Sequence, residues 1–487
     1  MEKTFDIIII GGGIVGCATA RALSRYALDI LLVEKGSDVS VGATKANSGI
    51  LHAGYDCEPG TLKAELNVQG LHMYKRLAEE LNIPHRINGS LVVSTVENGM
   101  AELQALYEKG VANGVTGMEL LTAEQAHALE PNLHPTVNGA LRAATAGIIS
   151  PYEAAIAFAE NAAVNGVSFL LDTEVKGVKS TDGGSDSGFT VSTACGDYRA
   201  RVVINCAGTE SGNVANYMRG YSHVPPIVIH PQRGQYYLLD NTQRELIKHT
   251  VFQLPTHMGK GVLIAPTVDG NILLGPTAEA VEDPQYPDDP QAAETTRDGL
   301  HEALTKARLT LAHVPIHDRV TAFAGVRAKH AGRDFIIEES PAYFFHAIGI
   351  DSPGLTAAPA IAARLANMVL TRLQPSEKAN FIKERPAITR FRDLSPAEQT
   401  KLIAANPAYG QIVCRCETIT QAEILDALRR PVPATNLDAV KRRTRAQMGR
   451  CQGGFCTLRL VELISRELGI PESQVTKNGK GSEVVSG

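Results

Sequence analysis

The start of the chain alternates short apolar runs with a glycine-rich turn. Residues 5–10 form a β-rich apolar run, residues 11–16 interrupt it, residues 15–26 have helical composition, and residues 30–33 are a second apolar run. Apolar runs of this length bounded by glycine are typical of buried strands. The pattern predicts that the chain opens with a βαβ unit.

Later segments predict further elements that interrupt this first unit. Helices are predicted near residues 62–81 and 151–166, and short strands near residues 90–95 and 201–205. Strand-like runs then dominate residues 235–274. This order is typical of an α/β domain interrupted by insertions that build a mainly antiparallel second domain.

The last quarter of the chain has a different character. Residues 371–408 are polar and contain several prolines, so we expect a linker in which Ser395 precedes a short helix with Pro396 at its first position. Residues 409–468 are expected to form a small α-rich module. Residues 469–487, which end in a Gly- and Ser-rich stretch, are expected to be a flexible tail.

Composition and charge exclude several classes of protein. The chain has 487 residues, 44% of them hydrophobic, which suffices for roughly three domains of about 150 residues. Its 47 basic and 52 acidic residues give a net charge of −5, which argues against a nucleic-acid binder. No apolar stretch approaches the roughly 18 to 20 residues of a membrane helix, and no leader pattern precedes the first strand. We therefore expect a cytoplasmic protein without a transmembrane segment, and contact with the inner face of the membrane stays open.

A glycine-rich fingerprint for a dinucleotide lies between the first strand and the first helix. Gly11-Gly12-Gly13-Ile14-Val15-Gly16 fits the pattern GxGxxG, and Glu34 ends the next strand. Gly11 permits the tight turn, Gly13 lets backbone N–H groups approach a pyrophosphate, and Gly16 allows close helix packing. Glu34 would accept hydrogen bonds from a ribose. The context favours a dinucleotide site over a purely structural turn, but it does not separate NAD from FAD.

Several later motifs carry a family resemblance. They are Asn47-Ser48-Gly49-Ile50-Leu51-His52-Ala53-Gly54, Gly259-Lys260-Gly261, Ala265-Pro266-Thr267-Val268-Asp269-Gly270-Asn271, Gly275-Pro276-Thr277 and Gly349-Ile350-Asp351-Ser352-Pro353-Gly354-Leu355-Thr356. In this order they resemble the glycerol-3-phosphate oxidase and dehydrogenase branch of the FAD-dependent, D-amino-acid-oxidase-like superfamily, over about residues 5–370. The L-2-hydroxyglutarate dehydrogenases share much of the same pattern.

This resemblance implies a Rossmann-like FAD-binding domain made of residues 1–80, 145–225 and 325–370, with an inserted antiparallel-sheet substrate domain of residues 81–144 and 226–324. It also implies the residues at the cofactor, which are Gly11, Gly13, Ile14, Val15, Gly16, Glu34, Lys35, Thr44, Asn47, Ser48, Gly49, Val175, Ala207, Gly208, Gly354, Leu355 and Thr356. The last three would direct backbone N–H groups and a helix N-terminus at the electron-rich edge of the reduced flavin.

Oxidation of an alcohol by a flavin needs a base for the hydroxyl proton, and an anionic substrate needs cations. His52 matches the family position beside the flavin and is the candidate base, although a lone histidine is more often structural. Lys260 and Arg327 match positions near the substrate anion, against the alternative that they are solvated surface charges. Ser352 matches a residue near flavin and substrate, and it could equally cap the following helix. Arg233 is a weaker candidate.

Four cysteines crowd the C-terminal module. They form a CxC pair, Cys414 and Cys416, and a CxxxxC pair, Cys451 and Cys456. Four thiolates suit either a [2Fe–2S] cluster or structural zinc, but zinc knuckles favour CxxC pairs. The two spacings instead resemble the bacterioferritin-associated-ferredoxin-like [2Fe–2S] domain. A basic run between the pairs is expected to add positive charge next to the cluster, and the alternatives are a solvated helix face and a docking surface. The run comprises Lys441, Arg442, Arg443, Arg445 and Arg450.

Together these motifs predict an FAD-dependent dehydrogenase for a small anionic hydroxy compound. The resemblance favours oxidation of sn-glycerol 3-phosphate to dihydroxyacetone phosphate by hydride transfer to the flavin. The electrons would leave through the [2Fe–2S] centre to a redox partner protein or a quinone-linked acceptor. An L-2-hydroxyacid dehydrogenase of the 2-hydroxyglutarate type is the rival enzyme, and a flavin- and cluster-containing redox sensor or assembly subunit is the rival from another class.

Overall fold

The computed structural model describes residues 3–181, 188–218, 226–254, 262–281 and 293–485. Its strands are β1 Lys3–Ile10, β2 Ile30–Val33, β3 Ile50–Leu51, β4 His85–Arg86, β5 Ser90–Ser94, β6 Met118–Thr122, β7 Gly139–Ala143, β8 Gly147–Ile149, β9 Ser168–Leu170, β10 Val175–Ser180, β11 Phe189–Thr193, β12 Gly196–Asn205, β13 Ile229–Leu239, β14 Thr250–Gln253, β15 Leu263–Pro266, β16 Ile272–Gly275, β17 Glu279–Ala280, β18 Arg319–His330, β19 Ile336–Glu339, β20 Phe344–Ile348, β21 Ile412–Cys414 and β22 Ile419–Thr420. Its α-helices are α1 Ile14–Leu23, α2 Leu62–Glu80, α3 Gly99–Ala112, α4 Ala123–Leu129, α5 Pro151–Val164, α6 Ser211–Asn216, α7 Arg297–Ala307, α8 Gly354–Leu373, α9 Pro396–Ala405, α10 Gln421–Arg429, α11 Leu437–Thr444 and α12 Thr457–Leu468.

The first sheet has a parallel centre that fits the fully apolar strands of the sequence. Its order is β10-β11-β12-β1-β2-β9, with β20 beside β12 and β19 beside β20. Strand β1 lies parallel to β2 and β12, and all four residues of β2 are buried, as expected for a sheet covered on both faces. Helices α1, α5 and α8 pack together over one face, where small side chains let the helices approach closely.

The second sheet is mainly antiparallel and is built from the predicted insertions. Its order is β17-β13-β16-β15-β14-β5-β7-β6, and the long strand β18 pairs with β13. Only the pair formed by β14 and β5 is parallel among the pairings of this sheet in the described residues. The predicted α/β class with an inserted antiparallel sheet is therefore confirmed. The exact domain boundaries stay a prediction.

The C-terminal module has its own apolar core, formed mainly by one face of each of α10, α11 and α12 together with the β21–β22 hairpin. Thr420 caps α10, and the Glu423 side chain accepts from the Thr420 N–H, which completes a capping box. Helix α9 begins at Pro396 after Ser395, as predicted.

The segments before and after this module are packed, which differs from the flexible tail that the composition predicted. Arg385, in the predicted linker, is 3% exposed. In the predicted tail, Val475 is fully buried, and the backbone carbonyl of Asn478 accepts a 2.7 Å hydrogen bond from the Ser37 hydroxyl. The prediction of flexibility relied on the glycine and serine content of the tail. Composition carries no information about the tertiary contacts that order this segment.

Buried ion pairs hold this C-terminal quarter of the chain against the rest of the molecule. We call them the arginine lock: the carboxylates of Asp38, Glu160 and Asp269, which belong to the first part of the chain, each contact two or more C-terminal arginines within 3.2 Å. These arginines are Arg385 and Arg430 on Glu160, Arg442 and Arg443 on Asp38, and Arg390, Arg392 and Arg445 on Asp269. The alternative of a solvated face is therefore wrong for much of the basic run, because Arg442, Arg443 and Arg445 are buried.

The lock predicts a specific dependence of stability on pH. Burial alone would raise the pKa of Asp38, but the charges of Arg443 and Arg442 outweigh it and hold that pKa below its ordinary value. A carboxylate with a lowered pKa stabilises the fold above its unfolded pKa of about 4, and this contribution is lost as the pH falls through the folded pKa. We expect Asp38→Asn to lower the free energy of unfolding at pH 7 by about 3–5 kcal/mol, because two buried arginines lose their partner.

Urea denaturation followed by circular dichroism at pH 7 and below pH 4 measures this effect. The deficit of the Asp38→Asn variant should shrink in acid, where wild-type Asp38 also becomes protonated. Glu119→Gln is the matched control, because Glu119 and its partner Arg142 form a surface pair with side chains that are 50% and 33% exposed. Surface pairs of this kind contribute about 0–1 kcal/mol. A deficit of that small size for Asp38→Asn would contradict the lock.

Candidate active site and cysteine centre

The glycine-rich turn between β1 and α1 requires two of its glycines for steric reasons. Gly11 has a φ of +109°, and a Cβ there would lie 2.4 Å from the backbone oxygen of Cys206 at the end of β12. A Cβ on Gly16 would lie 1.9 Å from the backbone oxygen of Gly11. The absence of both side chains lets the turn, the helix and the neighbouring strand end meet closely, so that the N-terminus of α1 opens onto the edge of the sheet.

Replacement of Gly11 by alanine should therefore release the dinucleotide. The new methyl group must displace backbone and adopt a φ that side chains avoid, which costs about 1–3 kcal/mol at the binding turn. We expect FAD affinity to fall about five- to a hundredfold, measured by the quenching of flavin fluorescence on titration. Gly177→Ala, in β10, is the control because a Cβ there meets nothing within 4 Å. Unchanged affinity in Gly11→Ala would contradict this role of the turn.

Glu34 already organises the backbone around this turn. Its carboxylate accepts hydrogen bonds from the N–H of Gly12 at 2.6 Å and from the N–H of Gly36 at 2.7 Å. Burial raises the pKa of this carboxyl group, against the two backbone hydrogen bonds. A carboxylate fixed at the end of β2 can accept from the hydroxyls of a ribose placed over the turn.

The segment after β2 closes over the helix N-terminus. The hydroxyl of Thr44 accepts a hydrogen bond from the N–H of Ile14 at 3.0 Å, which satisfies one of the unpaired N–H groups of α1. Asn47 donates to the carbonyl of Thr44 and accepts from the N–H of Gly49. These bonds fix the backbone of the Asn47-Ser48-Gly49 motif in a turn, with Gly49 at a φ of +65°.

A continuous cavity of about 880 Å³ is lined by residues of both sheets. The predicted cofactor and substrate residues that line it are Gly11, Gly13, Ile14, Val15, Glu34, Lys35, Thr44, Asn47, Ser48, Gly49, His52, Val175, Ala207, Gly208, Arg327, Ser352, Gly354 and Leu355. Two predicted residues act behind its wall, because Gly16 packs against the turn and Thr356 is fully buried. The volume is in the upper part of the range of ligand sites, as an extended dinucleotide requires.

His52 follows the short strand β3 and is tied to the first turn of α8. Its backbone N–H donates to the hydroxyl oxygen of Thr356 at 2.9 Å, and that hydroxyl donates to the carbonyl of Ile50. The side chain of Asn67 donates to the backbone oxygen of His52. The imidazole lies 5.7 Å from the ring of Phe252, measured between centroids. Thr356 and Asn67 thus hold the backbone of His52 at the cavity wall, and the ring lies against Phe252.

The cations predicted for the substrate have different surroundings. Arg327, on β18, donates to the side-chain oxygen of Gln232 at 3.3 Å and forms no ion pair with the described residues. Arg233 is bound by both carboxylate oxygens of Glu279, at 2.7 and 3.2 Å, so it is neutralised. Lys260 lies outside the described residues. Ser352 is exposed and precedes α8 without capping it.

Several aromatic residues of the cavity were not predicted. Tyr236 stacks on Phe323 with the ring centroids 4.8 Å apart, and its hydroxyl lies 3.3 Å from the Ser48 hydroxyl. Tyr55 and Phe252 also line the cavity. The sequence predicted strands in residues 235–274, which include Tyr236 and Phe252. It did not predict the pairing register, and the register determines which strand residues face the cavity.

The four module cysteines form two pairs. The thiol of Cys456 donates to the sulfur of Cys414 in the buried pair, and Cys416 and Cys451 form the exposed pair. This thiol hydrogen bond holds the pKa of Cys414 below its ordinary value. No group of three or more His, Cys, Asp or Glu side chains in the described chain already stands in the geometry for a single metal ion.

The backbone around these pairs is shaped for anionic sulfur. N–H groups of Gln447 and Glu417 point at Cys414, and the N–H groups of Phe455 and Gly453 point at Cys451. Positive φ values at Thr418, Arg445, Gln447, Gln452 and Gly453 curl the chain into this arrangement. Convergent N–H groups stabilise thiolates and the sulfide-rich charge of an iron–sulfur cluster. The donor set therefore fits a [2Fe–2S] cluster held by Cys414, Cys416, Cys451 and Cys456.

Comparison with known proteins identifies both parts of the chain. Residues 6–368 match the family described as FAD dependent oxidoreductase. The chain belongs to this family. Residues 412–466 match the BFD-like [2Fe-2S] binding domain. This FAD-dependent oxidoreductase therefore carries two cofactors, FAD in its first part and a [2Fe–2S] cluster in its C-terminal module.

Relatives that match either the whole chain or only its first part support this assignment. The chain is 43% identical over 99% of its length to a glycerol 3-phosphate dehydrogenase of Caloramator mitchellensis, covering 98% of that protein. It is 32% identical over 76% of its length to a glycerol 3-phosphate oxidase of Mycoplasma pneumoniae, covering 96% of it. Human mitochondrial L-2-hydroxyglutarate dehydrogenase is 35% identical over 57% of this chain and 61% of that protein.

Solved structures share the fold of the first part. Reduced L-α-glycerophosphate oxidase from Mycoplasma pneumoniae with FAD bound gives a TM-score of 0.72 at 29% identity, over 78% of this chain and 98% of that one. Glycine oxidase from Geobacillus kaustophilus, at 24% identity and a TM-score of 0.66, covers 77% of this chain and 96% of that one and shares the fold. Among the described helices, none combines the length and apolar character needed to cross a bilayer.

Proposed function

We propose that this enzyme oxidises sn-glycerol 3-phosphate to dihydroxyacetone phosphate and passes the electrons onward through its [2Fe–2S] centre. FAD, when bound, supplies the acceptor for the hydride. The protein must then hold the anionic end of the substrate, remove the hydroxyl proton and exclude water. The 43% identity to a glycerol 3-phosphate dehydrogenase, which extends over the cysteine module as well, supports this proposal.

The observation that carries the proposal is that Arg327 has no carboxylate partner among the described residues. Its guanidinium lines the cavity and, within the described chain, is bound by an uncharged amide and by no carboxylate. An unneutralised arginine at a cavity wall attracts an anion, and its planar fork can hold two phosphate or carboxylate oxygens at once. The other candidate arginine, Arg233, is already satisfied by Glu279.

His52 is the residue that we propose to accept the hydroxyl proton. A neutral imidazole is a suitable base near neutral pH, and its backbone is anchored to Thr356 so that the ring keeps its place at the cavity wall. The same Thr356 hydroxyl fixes the first turn of α8, whose N-terminus at Gly354 faces the cavity. Backbone N–H groups there would stabilise the negative charge of the reduced cofactor.

The onward acceptor is proposed from the presence of the second cofactor. An iron–sulfur centre carries single electrons, so the enzyme is suited to a redox partner protein or a quinone-linked acceptor rather than to oxygen. We propose that it acts in the cytoplasm and meets this acceptor at the inner face of the membrane.

An anaerobic panel of small hydroxy compounds tests the substrate. Flavin absorbance should bleach rapidly with sn-glycerol 3-phosphate and only slowly, if at all, with L-2-hydroxyglutarate. The reverse result would replace the proposal with an L-2-hydroxyacid dehydrogenase. Failure of every hydroxy compound to bleach the flavin would favour a redox sensor or an assembly subunit.

A further inference from the structure

Residues 149–152 connect the wall of the flavin cavity with the loop that holds Cys451. Gly49 lines the cavity, and its carbonyl accepts a 2.8 Å hydrogen bond from the N–H of Ile149. Three residues further on, the hydroxyl of Tyr152, in the first turn of α5, contacts the sulfur of Met448 at 3.8 Å. Met448 belongs to the loop that holds Cys451.

The next residue brings this loop against the cysteines themselves. A Cβ on Gly449 would lie 2.4 Å from the Cβ of Cys416, so the backbone there lies directly against that side chain. The N–H of Gln447, on the other side of Met448, points at Cys414 and Cys456. The chain therefore forms a continuous packed connection from the cavity wall to both cysteine pairs.

The arginine lock holds the module in this position. Glu160 lies on α5, the same helix as Tyr152, and its carboxylate binds Arg430 of the module and Arg385 of the preceding segment. Asp269, in the turn between β15 and β16, binds Arg445, three residues before Met448. The lock thus fixes both sides of the Tyr152–Met448 contact.

We infer that the cysteine module works as a fixed relay: electrons pass from the flavin site to the cluster of the same chain across the Tyr152–Met448 contact, without movement of the module. This inference rests on the proposed function and adds its internal route. The alternative is a tethered module that swings between the flavin site and the outside. A proline-rich connecting segment would allow such motion only if it were free, and Arg385 and Phe391 within it are buried.

The electron balance of this route is simple. Each substrate oxidation transfers one hydride to the cofactor and one proton to the base. Two successive one-electron passages through the cluster return the cofactor to its oxidised form and release the proton of the hydride. The two electrons leave to two equivalents of a one-electron acceptor, for which ferricyanide is the probe.

Rapid kinetics of the holoenzyme test the fixed position. The enzyme is mixed anaerobically with glycerol 3-phosphate, flavin absorbance is recorded, and reduced cluster is counted by electron paramagnetic resonance after freeze-quenching. We expect cluster reduction to follow first-order kinetics that change neither with enzyme concentration nor with viscosity raised by sucrose. A rate of cluster reduction that is inversely proportional to viscosity would overturn the inference in favour of a swinging module.

A variant that weakens the arginine lock allows a second measurement, protease cleavage, which does not depend on enzyme turnover. In the variant Asp269→Asn, we expect faster protease cleavage within residues 371–408, loss of the viscosity-independent phase, and unchanged flavin reduction by substrate. The fold should survive this change, because Arg390 keeps its pair with Glu153, and Arg392 and Arg445 keep theirs with Glu417. Asp269 does not line the cavity. Glu467→Gln is the matched control, because Glu467 pairs with Arg429 on the module surface. Wild-type cleavage and wild-type cluster reduction in Asp269→Asn would overturn the inference.

Variants of Tyr152 distinguish the role of the Tyr152–Met448 contact from the role of the arginine lock. We expect Tyr152→Ala, which opens a gap between the wall and the loop, to slow cluster reduction without changing protease sensitivity, and Tyr152→Phe to slow it less. Equal rates in wild type and Tyr152→Ala would overturn the route. If only 2-hydroxyglutarate reduces the flavin, the same measurements are made with it, so that failure of the substrate proposal is distinguished from failure of the relay.

Discussion

Replacement of Cys451 by serine should abolish the iron–sulfur centre and leave the flavin chemistry intact. A serine hydroxyl is a weak donor for iron, and the backbone N–H groups of Phe455 and Gly453 that point at the Cys451 sulfur are suited to a thiolate. We expect iron and acid-labile sulfide to fall from about two each per chain to near zero in anaerobically prepared protein.

The flavin of this variant should still be bleached by substrate, because the residues that line the flavin cavity all precede residue 356. Electron transfer to the natural acceptor should fail. Cys195→Ser is the matched control, since Cys195 is also an exposed cysteine and lies far from the module in sequence. Iron analysis of both variants, with flavin bleaching measured in parallel, checks the prediction. Stoichiometric zinc without iron in the wild type would contradict it.

The parts of this molecule that the sequence predicted well are those with local causes. The turn at Gly11 and Gly16 depends on close backbone contacts within one βαβ unit, and the fingerprint encodes them directly. The helix that begins at Pro396 follows a capping residue, Ser395, adjacent in the chain. The two cysteine spacings can also be read directly from the sequence, and the matched [2Fe-2S] domain confirms the cofactor that they indicated.

The arginine lock shows what local reasoning misses. Lys441, Arg442 and Arg443 form a basic run that is typical of a solvated helix face, yet Asp38 lies about four hundred positions earlier and neutralises two of them. Which carboxylate faces a helix is a property of the assembled fold. The same holds for Tyr236, whose position at the cavity depends on the register of β13 against β16 and β18.

Arg327→Ala should weaken the use of substrate far more than the binding of FAD. Arg327 lines the cavity without a carboxylate partner among the described residues, so its charge is available to an anionic substrate. A hydrogen bond to a charged group contributes about 1.5–3 kcal/mol, which corresponds to about a ten- to hundredfold change in kcat/KM for glycerol 3-phosphate. Steady-state kinetics with ferricyanide as acceptor, together with FAD titration, measures both effects.

Two further variants make this prediction specific. Arg327→Lys keeps the positive charge but loses the planar fork, so we expect a partial loss between those of wild type and Arg327→Ala. Arg233→Ala removes an arginine that Glu279 on the paired strand β17 already neutralises, and we expect little change in substrate use. If Arg327→Ala kept the wild-type kcat/KM while Arg233→Ala lost it, the anion site would lie at Arg233. In that case the pairing with Glu279 must break when substrate binds, and the assignment of Arg327 would be wrong.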